Sequence, residues 1–182
     1  MAIATKLMTA EEFMLLPDDG VRHELVRGEV FSRSHRTWEC GEIAGNIGAT
    51  IKTYLLPNRI GQVALGVGAI VARNPDTVRA PDVSFLGMAR IPHGERMNRY
   101  VDGVPDLCVE IPSDTNSRSD IREKLGEYFA GGAKLVWVVD PDDRSVKVYR
   151  DAANARVVKE DAALDGGDVL PGFSCPVSKF FN

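Results

Sequence analysis

The sequence predicts an α/β (α+β) fold: a mixed β-sheet flanked by helices, with a short helix and a β-hairpin added at the N-terminus. Three observations carry this. Glu110, a helical stretch over residues 120–130 and the apolar run Leu135-Val136-Trp137-Val138-Val139 follow in the order of a β-α-β unit, whose strands pair in parallel. Turn signals at Arg27-Gly28 and over residues 151–154 call for antiparallel hairpins. At 182 residues, 44% hydrophobic and 26% charged, the chain has the profile of one globular domain spanning 1–182, large enough to bury a core without staples.

The elements follow in order. Thr9-Ala10-Glu11-Glu12 carries the hydroxyl and later acid of a capping box, and Pro17 stops the short helix begun there. Residues 23–26 and 29–33 read as strands of the first hairpin. Ile43, Ile47, Ile51 and Leu55 recur at spacing four, one face of a helix within 37–56 that Pro57 ends. Gly41, Gly45 and Gly48 weaken that helix and point to something packed close to its backbone. Residues 62–73 alternate loosely as a β-rich stretch, and strands are expected at 83–86 and 106–111. Ser117 or Ser119 can cap the helix 120–130, which Gly131-Gly132 terminates. The run 135–139 suits a strand covered on both faces. Residues 145–150 and 155–160 form a second hairpin, and 177–181 a closing short helix.

Composition excludes several classes. No apolar run reaches the roughly 18 residues that span a bilayer, and residues 1–7 lack the apolar stretch of a secretory signal, so a soluble, cytoplasmic protein without membrane partners is expected. Cys40, Cys108 and Cys175 are far apart, without the paired spacing of zinc sites or disulfide frameworks. The net charge of −4 argues against binding nucleic acid by charge alone, but Arg33, His35 and Arg36 form one local basic cluster, and Arg90, His93, Arg96 and Arg99 another. The glycines of 61–68 lack the spacing of a phosphate loop. A carboxylate-pair glycoside hydrolase would need an aromatic-lined groove, which 7% aromatic content hardly supplies.

The residues that suggest chemistry are Asp82 in Pro81-Asp82-Val83-Ser84, Glu110 in Leu107-Cys108-Val109-Glu110, and Lys124 on the following helix. An ionised group within a strand is costly to bury unless a cation or hydrogen bonds compensate it, and a divalent metal would do so. Strand alternation puts Cys108 with Glu110 opposite Leu107, Val109 and Ile111, and Asp82 with Ser84 opposite Val83 and Phe85. The two acids converge if their strands are neighbours. Lys124 falls at the edge of the stripe Ile121, Leu125, Tyr128 and Phe129, from which a long side chain can reach back over the sheet. Plainer readings stay open: a salt-bridged surface carboxylate for either acid, a surface lysine or an ion pair to Glu123 or Glu127 for Lys124, and helix packing for Tyr128.

Several segments together resemble one family. Thr9-Ala10-Glu11-Glu12-Phe13, His23-Glu24-Leu25-Val26-Arg27-Gly28-Glu29, the isolated His35, Ala80-Pro81-Asp82-Val83-Ser84, Pro105-Asp106-Leu107-Cys108-Val109-Glu110-Ile111-Pro112-Ser113, Lys124-Leu125-Gly126-Glu127-Tyr128 and Val136-Trp137-Val138-Val139-Asp140-Pro141 are similar to the Uma2 family, formerly DUF820, of PD-(D/E)XK nuclease-like proteins. The resemblance implies a restriction-endonuclease-like core and a metal-dependent endonuclease, with DNA the expected substrate and Mg²⁺ or Mn²⁺ the cofactor. It carries over to Asp82 and Glu110 as metal ligands, to Lys124 as the catalytic lysine and to Glu24 as an additional acid, whose plainer reading is an exposed hairpin carboxylate. The usual acid-x-lysine spacing is absent, because Ile111-Pro112 follows Glu110, so the lysine role passes to the helix. His35, Arg33, Arg36, Arg96 and Arg99 are the expected phosphate contacts, although a lone histidine is equally a capping or surface residue. A homodimer is expected, since two symmetric sites cut both strands of a duplex most simply. The rival class is a nucleic-acid or protein binding module that kept the fold and lost turnover.

Overall fold

The computed structural model describes residues 7–33, 36–92, 97–112 and 118–182. His35, His93, Arg96 and Ser117, singled out above, lie outside the described residues. Thr9 closes the expected capping box with Glu12 at the start of helix α1, Ala10–Met14. Strands β1, Arg22–Val26, and β2, Glu29–Arg33, pair antiparallel with Val26 opposite Glu29. The two-residue turn between them has Arg27 at φ 51° and Gly28 at φ 81°, the left-handed pair that lets a tight hairpin follow the strand twist.

Helix α2, Trp38–Leu55, starts on the Thr37 side chain, which accepts the Cys40 N–H. Its glycines differ from expectation. A Cβ at Gly48 would meet the Leu65 side chain at 2.9 Å, whereas Gly41 and Gly45 face open space. The β-rich stretch 62–73 is two strands, β3, Gly61–Leu65, and β4, Ala69–Ala72, which belong to different sheets. Positive φ at Gly66 marks the break between them.

Next come β5, Thr77–Arg79; β6, Val83–Gly87; β7, Val101–Asp102; and β8, Leu107–Glu110. Helix α3, Arg118–Ala130, then leads to β9, Leu135–Asp140. Ser119 therefore lies within the helix rather than capping it, and the chain leaves α3 with Gly132 at φ 96°. The hairpin β10, Ser145–Tyr149, with β11, Ala155–Lys159, forms as expected, as does a closing 3-10 turn at Val177–Phe180. The hairpin β12, Ala163–Gly166, with β13, Leu170–Pro176, was not anticipated, nor were β5 and β7. At two to four residues, β5, β7 and β12 are too short for alternation to register.

Two main sheets result. One has the order β2-β1-β5-β4-β7, the other β11-β10-β9-β8-β6-β3. The second is mixed: β8 and β9 are parallel across α3, and its other pairs are antiparallel. One of its faces packs Val83, Phe85, Val109, Trp137 and Val139 with Ile43, Ile47 and Ile51 of α2. The opposite face packs Cys108, Val136 and Val138 with Leu125 and Tyr128 of α3 and with Ala69 and Val71 of the first sheet. Hence β9, covered on both sides, is a continuous apolar run. Among the described residues no helix is long and apolar enough to cross a membrane.

Candidate active site

Asp82 ends the short link by which the chain passes from β5 in one sheet to β6 in the other. Its N–H donates to the Val109 carbonyl at 2.9 Å, extending the β6–β8 pairing by one residue. That pairing sets Val83 opposite Val109, and the same register continued by one residue brings Asp82 opposite Glu110. The Asp82 carboxylate is held at one end: Oδ2 accepts the Ile111 N–H at 2.7 Å. Oδ1 meets the guanidinium of Arg36, with Arg22 Nη1 at 3.5 Å.

Glu110 is the last residue of β8, and α3 returns over it. Lys124 and Tyr128, four residues apart, project from one helical face. Lys124 Nζ donates to Glu110 Oε2 at 2.9 Å and the Tyr128 hydroxyl to Oε1 at 2.5 Å. Lys124 Nζ is also 3.2 Å from Oε1 of Glu24, on β1 of the other sheet. Glu24 Oε2 in turn pairs with Arg33 at 2.7 Å and Arg79 at 3.0 Å. Arg79 completes the array by gripping Glu127 of α3 through Nε and Nη2 at 2.6 and 2.9 Å. Asp82, Glu110 and Lys124 are each 4% exposed and Glu24 only 1%.

Burial and neighbouring charge compete at Asp82, Glu24 and Lys124. For Asp82, burial and then the neighbouring Glu110 charge push the carboxyl up to about 6, against the pull of Arg36 and Arg22. Burial would also raise Glu24, but Lys124, Arg79 and Arg33 overcome it and hold that carboxyl at about 2. Lys124 loses hydration, which favours the neutral amine, yet Glu110 and Glu24 raise its pKa and keep the ammonium. Burial and the Glu110 charge lift Tyr128 well above the usual phenol value, so it remains a neutral donor.

The fold thus brings together Asp82, Glu110, Lys124 and Glu24. Lys124 is neither a surface lysine nor a partner of Glu123 or Glu127, the two plainer readings; Arg79 occupies those acids instead. Glu24 is likewise buried rather than an exposed hairpin carboxylate. Arg33 and Arg36 sit at the cluster as ion-pair partners of Glu24 and Asp82. Arg99 does not join them: it lines a separate cleft with Met14, Arg73, Tyr100 and Asp102. Sequence reasoning missed Arg79, Arg22 and the second role of Tyr128, whose ring packs in the core while its hydroxyl holds Glu110. A signal existed for Arg79. A charged residue two positions before Pro81, in a short run otherwise made of Thr77 and Val78, needs a buried counter-charge.

The donor set is compatible with a hard divalent cation. Lys124 and Tyr128 each use one lone pair on the Glu110 oxygens, leaving acceptor capacity on both. Burial first and the Glu110 charge second raise the Asp82 carboxyl despite Arg36 and Arg22, and a bound cation would favour its ionised form. Glu24 Oε1 is buried and, among the described residues, has no hydrogen bond, since its 3.2 Å approach to Lys124 lacks hydrogen-bond geometry. Among the described residues no group of three or more His, Cys, Asp or Glu side chains forms a cage for a metal. Two carboxylates supplemented by water and substrate oxygens suit Mg²⁺, which rarely takes an all-protein cage.

A family profile, Uma2, described as "Putative restriction endonuclease", matches residues 10–178. A solved structure from Anabaena variabilis ATCC 29413, described as "a putative nuclease belonging to DUF820", superposes with a TM-score of 0.80 at 22% identity, covering 96% of this chain and 97% of that one. This likeness shows a shared fold. No curated protein matches the chain.

Proposed function

The chain belongs to the Uma2 family of restriction-endonuclease-like proteins, and from that premise we propose that it is a metal-dependent endonuclease hydrolysing phosphodiester bonds of DNA. The observation that supports this reading is the buried ammonium of Lys124, held between Glu110 and Glu24 beside the Asp82 carboxylate. A core salt bridge made only for stability would need no third acid next to it.

In this proposal Asp82 and Glu110 hold Mg²⁺ or Mn²⁺. When bound, the cation neutralises charge on the phosphoryl group and makes water a better nucleophile. Lys124 balances the charge that builds on the phosphoryl oxygens in the transition state, from a position fixed before substrate arrives. Glu24, ionised far below neutral pH, keeps that ammonium aimed and protonated. Tyr128 holds the Glu110 carboxylate in one orientation, and the Ile111 N–H does so for Asp82. Arg33 and Arg36, with His35 and Arg96, meet the phosphates of the strand, and Arg99 meets phosphate from its separate cleft, so affinity for DNA falls as salt rises. We assign one domain over residues 1–182, acting in the cytoplasm as a homodimer; free, buried Cys40, Cys108 and Cys175 suit a reducing compartment.

The test is Lys124→Met, which keeps the stem volume. Removing a cation between two buried carboxylates costs about 3–5 kcal/mol of stability, so cleavage is measured well below the melting transition. Single-turnover cleavage of duplex DNA is expected to fall by orders of magnitude, while Mn²⁺ affinity, read by calorimetry, is retained. Asp82→Ala and Glu110→Ala should each lose the metal. Cleavage at the wild-type rate in Lys124→Met would remove the assignment. The rival reading, a binding module without turnover, draws on the arginines already neutralising Asp82; it predicts DNA binding with no cleavage in any divalent cation.

A further inference from the structure

We infer that Arg36 is an exchangeable counter-ion: it occupies the open oxygen of Asp82 while no divalent cation is bound, and passes to a substrate phosphate when the cation takes that oxygen. The inference rests on the metal-dependent reading above and adds to it how the site is kept charged and when it becomes competent.

The two oxygens of Asp82 are not equivalent. Oδ2 is tied to the main-chain N–H of Ile111, just beyond the end of β8, and is fixed as firmly as the sheet itself. Only Oδ1 can change partners, and it faces two guanidinium groups. These also differ. Arg22 projects from β1, and its Nη2 is already engaged by the Ala80 carbonyl, so its position belongs to the sheet. Arg36 lies outside regular structure, one residue before the Thr37 cap of α2, and among the described residues its ion-pair partner is Asp82 alone. Its side chain is 24% exposed, so it can swing into solvent without opening the core.

A dication at Oδ1 would meet like charge from Arg36 at contact distance, and one of the two must leave. The displaced guanidinium is then free at the mouth of the site, where a phosphodiester would lie, and its planar fork matches a phosphate better than the ammonium of a lysine would. Such an exchange keeps buried Asp82 compensated in both states. It also couples metal binding to DNA binding: substrate phosphate gains a partner only once the cation has released it.

The experiment uses the full chain and titrates Mn²⁺ by calorimetry without DNA, in wild type, Arg36→Ala and Arg36→Gln. Removing the competitor should tighten Mn²⁺ binding by about tenfold or more in both variants. In parallel, binding of a labelled duplex is measured with and without Ca²⁺, which fills oxygen sites without supporting rapid turnover. Wild-type affinity should rise with Ca²⁺, and the rise should be lost in Arg36→Gln. Unchanged or weaker Mn²⁺ affinity in both variants overturns the exchange and makes Arg36 a fixed part of the site. Binding of Mn²⁺ by the variants but not by wild type supports it in its strongest form. If none of the three proteins binds Mn²⁺, the metal-dependent reading fails and the exchange falls with it, an outcome distinct from a metal site indifferent to Arg36.

Discussion

A lysine taken out of water tends to shed its proton, and a carboxylate tends to gain one. Lys124 and Glu24 do neither because each is the other's remedy, with Glu110, Arg79 and Arg33 completing the charge balance. Stability must therefore depend on pH with opposite signs at the two perturbed acids. Glu24 has a folded pKa of about 2, below its ordinary 4.5, so its contribution is full above about 4.5 and is lost as pH falls toward 2. Asp82 is raised from 3.8 to about 6, so its relative contribution is full below 3.8 and is lost as pH rises through 6. We expect Glu24→Gln to be less stable at neutral pH and to show a shallower acid limb between pH 4.5 and 2 in urea unfolding; an acid limb as steep as wild type would reject this role for Glu24. The sequence made Asp82, Glu110 and Lys124 legible because period-two and period-3.6 patterns say which way a side chain faces. It left Arg79 hidden, since its partners Glu24 and Glu127 lie 55 and 48 residues away and no local pattern encodes a long-range ion pair.

At the level of elements, repetition was what could be read. Four residues at spacing four marked α2, and the turn Arg27-Gly28 marked the first hairpin, because each regularity arises from a few neighbouring positions. The division of 62–73 between two sheets was not readable, since partner choice depends on strands far away in the chain: β3 pairs with β6, and β4 with β5 and β7. The glycines of α2 give a sharper case, because composition suggested close packing at all three and the fold requires it at one. Gly45 faces open space, so Gly45→Ala should stabilise the protein by about 0.5–1 kcal/mol. At Gly48 the new methyl meets the Leu65 side chain, which cancels part or all of that gain. Chemical denaturation of the two variants separates them; equal stabilisation at both positions would show that Leu65 yields freely.

For the whole molecule, the candidate site belongs to neither main sheet alone. Glu24 and Arg79 come from the first, Glu110 from the second, and Asp82 from the link between them, with α3 placing Lys124 across the gap. That link is only residues 80–82, and three extended residues span at most about 10 Å. It acts as a ruler, with Arg79 at one end and Asp82 at the other. One added residue would either loosen that measure or slide β6 by one place, which turns Val83 and Phe85 away from α2 and exchanges the faces of the whole strand. The exposed turn around Asp151 has no such duty. A glycine inserted between Ala80 and Pro81 should abolish cooperative melting, whereas one inserted between Ala152 and Ala153 should leave the melting temperature within a few degrees of wild type. The same geometry bears on descent. Across the family, chain length should drift at the 151–154 turn and stay invariant at 80–82, so an alignment rich in gaps at the latter would show that the ruler is not needed.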